Sequence, residues 1–204
     1  MKQWMGGSLS IIHSGVCLIS LMKKILLSIA LALVTTFALA QNTHFKFMGI
    51  ELDGSITDFQ SKLYAKGFKN TELPYDKKNG ARIYDGTFMG EAASVVVFYN
   101  ERSKQVYSAK SVIQKYGKTH IQNLFNDIEA KLDIKYGAEN RETESVQDEY
   151  LHEFKKTSFD LENGYIILSV SSYGYTDTGK FLLHIQYADK LNSLKNTQEE
   201  MDDL

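Results

Sequence analysis

The sequence predicts an α+β fold: one antiparallel sheet covered on one face by helices. Three observations carry this. Two helix-period segments are each followed by three runs of strand character. The connections between those runs are hairpin-sized, which keeps neighbouring strands antiparallel. The helical segments stand apart from the strand runs instead of alternating with each strand, as a parallel sheet would require.

The elements follow in order. His44–Leu52 begins with period-two alternation and suits a strand, and Asp53-Gly54 is a turn signal. Ser55 then stands as an N-cap with Asp58 three residues on; Ile56, Phe59 and Leu63 follow at helical spacing, and Gly67 closes a short helix over Ile56–Lys66. Residues 70–80 are polar, hold Pro74 and read as a loop. Three strands are expected at Arg82–Met89, Ala92–Tyr99 and Val106–Gln114. A second helix is expected with Thr119 as cap and Gln122 completing a capping box; Ile121, Leu124, Phe125, Ile128 and Leu132 form its apolar face and Gly137 its stop. Ala138–Asp148 is charged and reads as loop. Three more strands fit Glu153–Leu161, Tyr165–Tyr173 and Lys180–Tyr187, the first two joined through Asn163-Gly164, a strong hairpin signal. The remainder, 190–204, is a polar tail with some helical character and an acidic end, expected to fray. The order is β-α-βββ-α-βββ. At an offset of 69, Asp58, Lys62, Leu63 and Lys66 meet Asp127, Lys131, Leu132 and Lys135; this is consistent with a tandem α-βββ duplication, though on helix positions alone.

The segment ahead of this domain carries targeting information. Met22-Lys23-Lys24, the apolar run Ile25–Phe37 and Ala38-Leu39-Ala40 have the order of a secretory signal, with cleavage expected between Ala40 and Gln41. Residues 1–21 fit that scheme poorly and read as an upstream mis-start. The thirteen-residue apolar run is short for a permanent membrane anchor. The expected mature chain starts at Gln41 and works in the periplasm or outside the cell. It loses Lys2, Lys23 and Lys24 but no acidic residue, so its net charge moves from −2 to −5. The only Cys and the only Trp leave with the leader. Thiol catalysis, thiolate metal sites and disulfides are thereby excluded for the mature domain. A mildly acidic chain without a basic cluster gives no electrostatic reason to bind nucleic acid.

Catalytic patterns are incomplete. Gly117-Lys118-Thr119 resembles the end of a phosphate-binding loop, but Val112 stands where the upstream glycine is required. Asp177-Thr178-Gly179 has the triplet of an aspartic protease without a second copy, and suits a turn. His44, His120, His152 and His184 lack metal-ligand spacing, and no serine stands in a Gly-x-Ser-x-Gly elbow. No cofactor, metal ligand or catalytic residue is therefore assigned. The positive signal is Ser171–Gly179, rich in Tyr, Ser and Gly at a hairpin end. Tyr173, Tyr175 and Asp177 are its candidate partner-binding residues, because Tyr offers large contact area at low entropy cost.

Phe47-Met-Gly-Ile-Glu-Leu-Asp-Gly-Ser55, with Phe59, Leu63 and Lys66-Gly67-Phe68, resembles the opening of small uncharacterised secreted proteins of Gram-negative gut anaerobes. The element order is also similar to the beta-lactamase-inhibitor-like architecture, which implies helix-plus-sheet repeats forming a concave binding surface. The expected function is an exported, non-catalytic binding or interaction module whose partner is a protein or envelope component. The alternatives are an exported hydrolase whose site assembles only in three dimensions, and an envelope-assembly accessory protein.

Overall fold

The computed structural model describes residues 44–71 and 80–201. The expected targeting segment with its cleavage residues Ala38 and Ala40, and Gln41 beyond them, lie outside the described residues, as does most of the Pro74 loop.

The chain enters through a tight hairpin, β1 (Lys46–Phe47) paired with β2 (Ile50–Glu51). This replaces the single strand expected over His44–Leu52. Met48 and Gly49 both take positive φ, 52° and 78°, and reverse the chain so that Phe47 and Ile50 stay buried together. Helix α1 (Ile56–Ala65) starts as read from sequence: Ser55 Oγ accepts from Asp58 N–H at 3.2 Å. Its end is a Schellman motif. Gly67 N–H donates to the Tyr64 carbonyl and Phe68 N–H to that of Leu63.

Four strands follow, β3 (Lys69–Asn70), β4 (Ala81–Phe88), β5 (Glu91–Tyr99) and β6 (Val106–Tyr116), and then α2 (Lys118–Tyr136). A single 3₁₀ turn leads into β7 (Arg141–Gln147), β8 (Glu153–Asp160), β9 (Gly164–Tyr173) and β10 (Lys180–Asp189), and α3 (Lys190–Met201) ends the described chain. The eight-stranded sheet has the order β3-β4-β5-β6-β10-β9-β8-β7, and every pairing is antiparallel. Each half is thus a helix followed by a four-strand meander, and the last strands of the two halves meet at the centre. The repeat read as α-βββ is α-ββββ, because β3 and β7 each add an edge strand.

Paired residues share a face, so the register fixes which side chains line each side. One row runs Asn70, Tyr84, Val95, Ser111, Ile185, Leu168, Thr157, Thr143 from edge to edge. This inner side carries both early helices: Gln60 of α1 lies against Tyr84, and Glu129 of α2 bonds Thr157. Ile56, Phe59 and Leu63 of α1 join Ile121, Phe125, Ile128 and Leu132 of α2 in one apolar core. The outer side carries the alternate row Ile83, Val96, Lys110, Gln186, Ile167, Ser158, Glu142.

Four further expectations are corrected. β7 occupies the segment read as charged loop. Helix α2 begins at Lys118 after Gly117 at φ 85°, and no side chain caps it, so Thr119 lies inside its first turn. The 190–204 tail has the helical character read from its sequence, through Met201, but is docked instead of frayed, with Asn192 and Asn196 buried. In the β8–β9 hairpin, Leu161 N–H donates to the Gly164 carbonyl at 2.9 Å, so Glu162 and Asn163 form the turn and Gly164 belongs to the strand. Gly164 is needed for space: a Cβ there would stand 2.3 Å from the Phe45 ring and 2.7 Å from the Ala188 carbonyl oxygen. Gly164→Ala is expected to lower stability by about 2–3 kcal/mol by overpacking, read from urea unfolding; a loss under about 0.5 kcal/mol would refute the steric account.

Candidate functional site

The β9–β10 hairpin end, singled out by its tyrosines, is built into the fold at two points. Its loop holds the start of α2: Gly117 N–H donates to the Gly179 carbonyl and Lys118 N–H to that of Asp177, at 2.9 and 2.7 Å. These carbonyls satisfy backbone donors that a helix start leaves unpaired. Asp177-Thr178-Gly179 closes as a turn, with Gly179 N–H on the Thr176 carbonyl at 3.0 Å.

The β7–β8 loop supplies the second support, organised by Asp148. Its Oδ1 accepts from the N–H groups of Tyr150 and His152, both at 3.0 Å, and its Oδ2 from the N–H and hydroxyl of Ser172 on β9. Burial alone would push this carboxyl up. The Ser172 hydroxyl and the three backbone donors outweigh it and hold Asp148 below the usual carboxylate range. His152, buried against Phe154 and Phe181, bonds the Gly174 carbonyl through Nε2 at 3.0 Å and presents Nδ1 to Asp177 Oδ1 at 3.5 Å. Lys118 Nζ approaches the same carboxylate at 4.0 Å.

The structure therefore brings Asp177 into contact with His152 and Lys118, while its side chain stays largely in solvent. Tyr175 is 73% exposed and sets its ring edge-to-face on Tyr150 at 5.2 Å. Tyr173 is 59% exposed and belongs to the outer face, where the register places it across β10 from Tyr116, itself 66% exposed, with Lys180 between them. Lys180 Nζ lies 5.0 Å from the Tyr173 ring centroid, a cation–π distance. With Leu151 also exposed, large apolar and aromatic side chains gather at this end of the sheet, on strand ends and the adjoining loops. Tyr116, Tyr150 and Leu151 carry no signal in the sequence; the pairing of β6 with β10, once known, would have placed Tyr116 at the site.

The histidines do not converge. His44 bridges Asp189 and Asp53 at the base of α3, and His120 bonds the Tyr116 carbonyl. His184 lies on the outer face with Nε2 2.8 Å from Ser171 Oγ. That is hydrogen-bond reach for a nucleophile and its base, but a third group orienting the ring is absent: among the described residues Nδ1 has no partner. Burial, with a smaller contribution from the Lys110 charge, pulls the imidazole down to about 4, too low for an effective base at neutral pH. Two open depressions, about 210 Å³ between α2 and β8–β9 and about 420 Å³ beside the β1–β2 hairpin, are lined by neither His184, Asp177 nor Glu153. Among the described residues no three His, Asp or Glu side chains form a metal-binding group, and no helix is long and apolar enough to cross a membrane.

No family model matches the chain, and neither a curated protein nor a solved structure is significantly similar to it.

Proposed function

We propose that the protein is an exported, non-catalytic binding module of the cell envelope that recognises a protein or another envelope component through its tyrosine-bearing end. The observation that carries this reading is the set of exposed rings of Tyr116, Tyr173 and Tyr175 on strands and loops held by Asp148 and the α2 start. Rigid, exposed aromatic anchors are the residue type that dominates binding energy at protein interfaces. Export is motivated by the basic, apolar and small-residue order over Met22–Ala40.

The test is capture of envelope and medium components by the full chain against Tyr173→Ala/Tyr175→Ala. The double variant is expected to weaken capture roughly 10-fold or more with unfolding unchanged, since both rings are exposed. Unchanged capture would sink the hairpin as the site, and a mature form retaining Trp4 and Cys17 would overturn cleavage between Ala40 and Gln41.

A hydrolase is the second reading, favoured by the Ser171–His184 pair alone. Ester turnover by the full chain that disappears in Ser171→Ala would establish it in place of the first.

A further inference from the structure

The outer face of the three central strands has a charge pattern unlike that of the whole chain. From the tyrosine end inward, β6, β10 and β9 set side by side Tyr116–Lys180–Tyr173, Gln114–Leu182–Ser171, Val112–His184–Ser169 and Lys110–Gln186–Ile167. Lysines 180 and 110 are the formal charges in these rows, and no carboxylate belongs to them, although acidic residues outnumber basic ones 25 to 23 in the chain. His184 stays neutral beside Ser171. The acidic groups of this face are on the flanking strands, and several are already engaged: Asp85 accepts from Ser94, Glu144 pairs with Lys156, and Asp160 with Lys190. Lys180 has the Tyr173 ring beside it and, among the described residues, no carboxylate partner.

The stripe also has a direction. Its inner end is closed, since Ser108 and Ala188 are buried where α3 packs against β6, β10 and β9. Its outer end is open and flanked by Tyr116 and Tyr173. Those two strands are about 10 Å apart, two interstrand spacings, and alternate side chains along β10 repeat every ~7 Å. An extended segment lying along β10 would present its own alternate side chains at the same interval.

Resting on the binding-module reading above, we propose that this stripe takes an acidic, extended segment of a partner protein, with a carboxylate at Lys180 and its neighbouring side chains held between Tyr116 and Tyr173. Coulomb attraction selects the acidic partner, because like charges placed opposite one another cost affinity. The aromatic pair supplies the contact area.

The probe is a fluorescein-labelled peptide of alternating Glu and Tyr, titrated with the full chain, beside an alternating Lys and Tyr peptide and polygalacturonate. The Glu-Tyr peptide is expected to bind at least 10-fold more tightly than the Lys-Tyr peptide, and to lose 10-fold or more with Lys180→Glu and less with Lys180→Gln. Lys131→Glu, on the exposed side of α2, is expected to change peptide binding less than 2-fold. Equal binding of both peptides, an unaffected Lys180→Glu variant, or preference for polygalacturonate would overturn the inference. If the acidic peptide fails while Tyr173→Ala/Tyr175→Ala still weakens envelope capture, the acidic partner falls and the binding module stands. If both fail, both readings fall.

Discussion

Glu129→Ala is expected to lower the unfolding free energy by about 3 kcal/mol and the melting temperature by roughly 10 °C. Glu129 is 6% exposed on α2 and ties the helix to β8 in its own half of the sheet. Its Oε1 accepts from Thr157 Oγ1 at 2.6 Å, its Oε2 from Lys155 Nζ, and Arg141, which also grips Asp133, stands 3.9 Å away. Burial would push the Glu129 carboxyl up; the Lys155 and Thr157 bonds and the two cations override it and hold it below its ordinary value. Removing one partner of a buried ion pair costs about 3–5 kcal/mol because the remaining groups stay desolvated and unpaired. Here the loss falls at the lower end. The Lys155 side chain is 40% exposed and can turn to water, whereas fully buried Thr157 cannot. Glu129→Gln retains an acceptor for Thr157 and should lose about half as much. The sign of the pH effect follows from the lowered value: the contribution is complete above the unfolded carboxyl near 4.5 and is lost as pH falls through the lower folded value. Urea unfolding at neutral pH decides the matter, and a loss below about 1 kcal/mol for Glu129→Ala would refute the clip.

The parts of this fold that were legible in the sequence are those where apolar residues had to keep one period. Phe59 and Leu63, the Ile121–Leu132 stripe and the strands around Val95, Ile113, Leu168 and Leu183 each bury one side and expose the other, so spacing reports their geometry. Strand β7 escapes that logic. It pairs only with β8 at the sheet edge and is largely exposed on both faces, so Arg-Glu-Thr-Glu-Ser-Val-Gln carries no apolar alternation. The docking of helix α3 was hidden for a related reason. Its buried contacts come from amides: Asn192 Nδ2 donates to the Leu52 carbonyl, and Asn196 accepts from Asn100. Polar docking leaves no hydrophobic trace. At the hairpin end, Tyr173, Tyr175 and Asp177 were visible from composition. Their supports were not, because Asp148 reaches Ser172 and Tyr116 faces Tyr173 only across strands that are distant in sequence.

His184→Leu is expected to flatten the acid limb of the stability curve. The ordinary imidazole value of 6.5 applies to the unfolded chain, and burial, aided by the Lys110 charge, pulls the folded group down to about 4. Above pH 6.5 both states are neutral and the residue has no effect on the slope. Below it the unfolded chain takes up a proton that the folded chain refuses, so stability drains away until the folded group titrates near 4. The loss attributable to this one group between pH 7 and pH 4.5 is roughly 2–3 kcal/mol. Asp53, Asp148 and Glu129, all held below their ordinary values, also lose stabilisation in acid, but they do so at lower pH. They are present in both proteins, so the difference between the two curves isolates His184. Leucine fills a similar volume between Val112 and Ser169, its neighbours in register, and cannot protonate. It leaves Ser171 Oγ without its ring partner, an offset of about 1 kcal/mol that is the same at every pH. Urea unfolding of both chains at pH 7 and pH 4.5 should therefore show the unmodified protein losing roughly 2–3 kcal/mol more than the variant. Parallel curves would mean that the imidazole titrates near its ordinary value on this face.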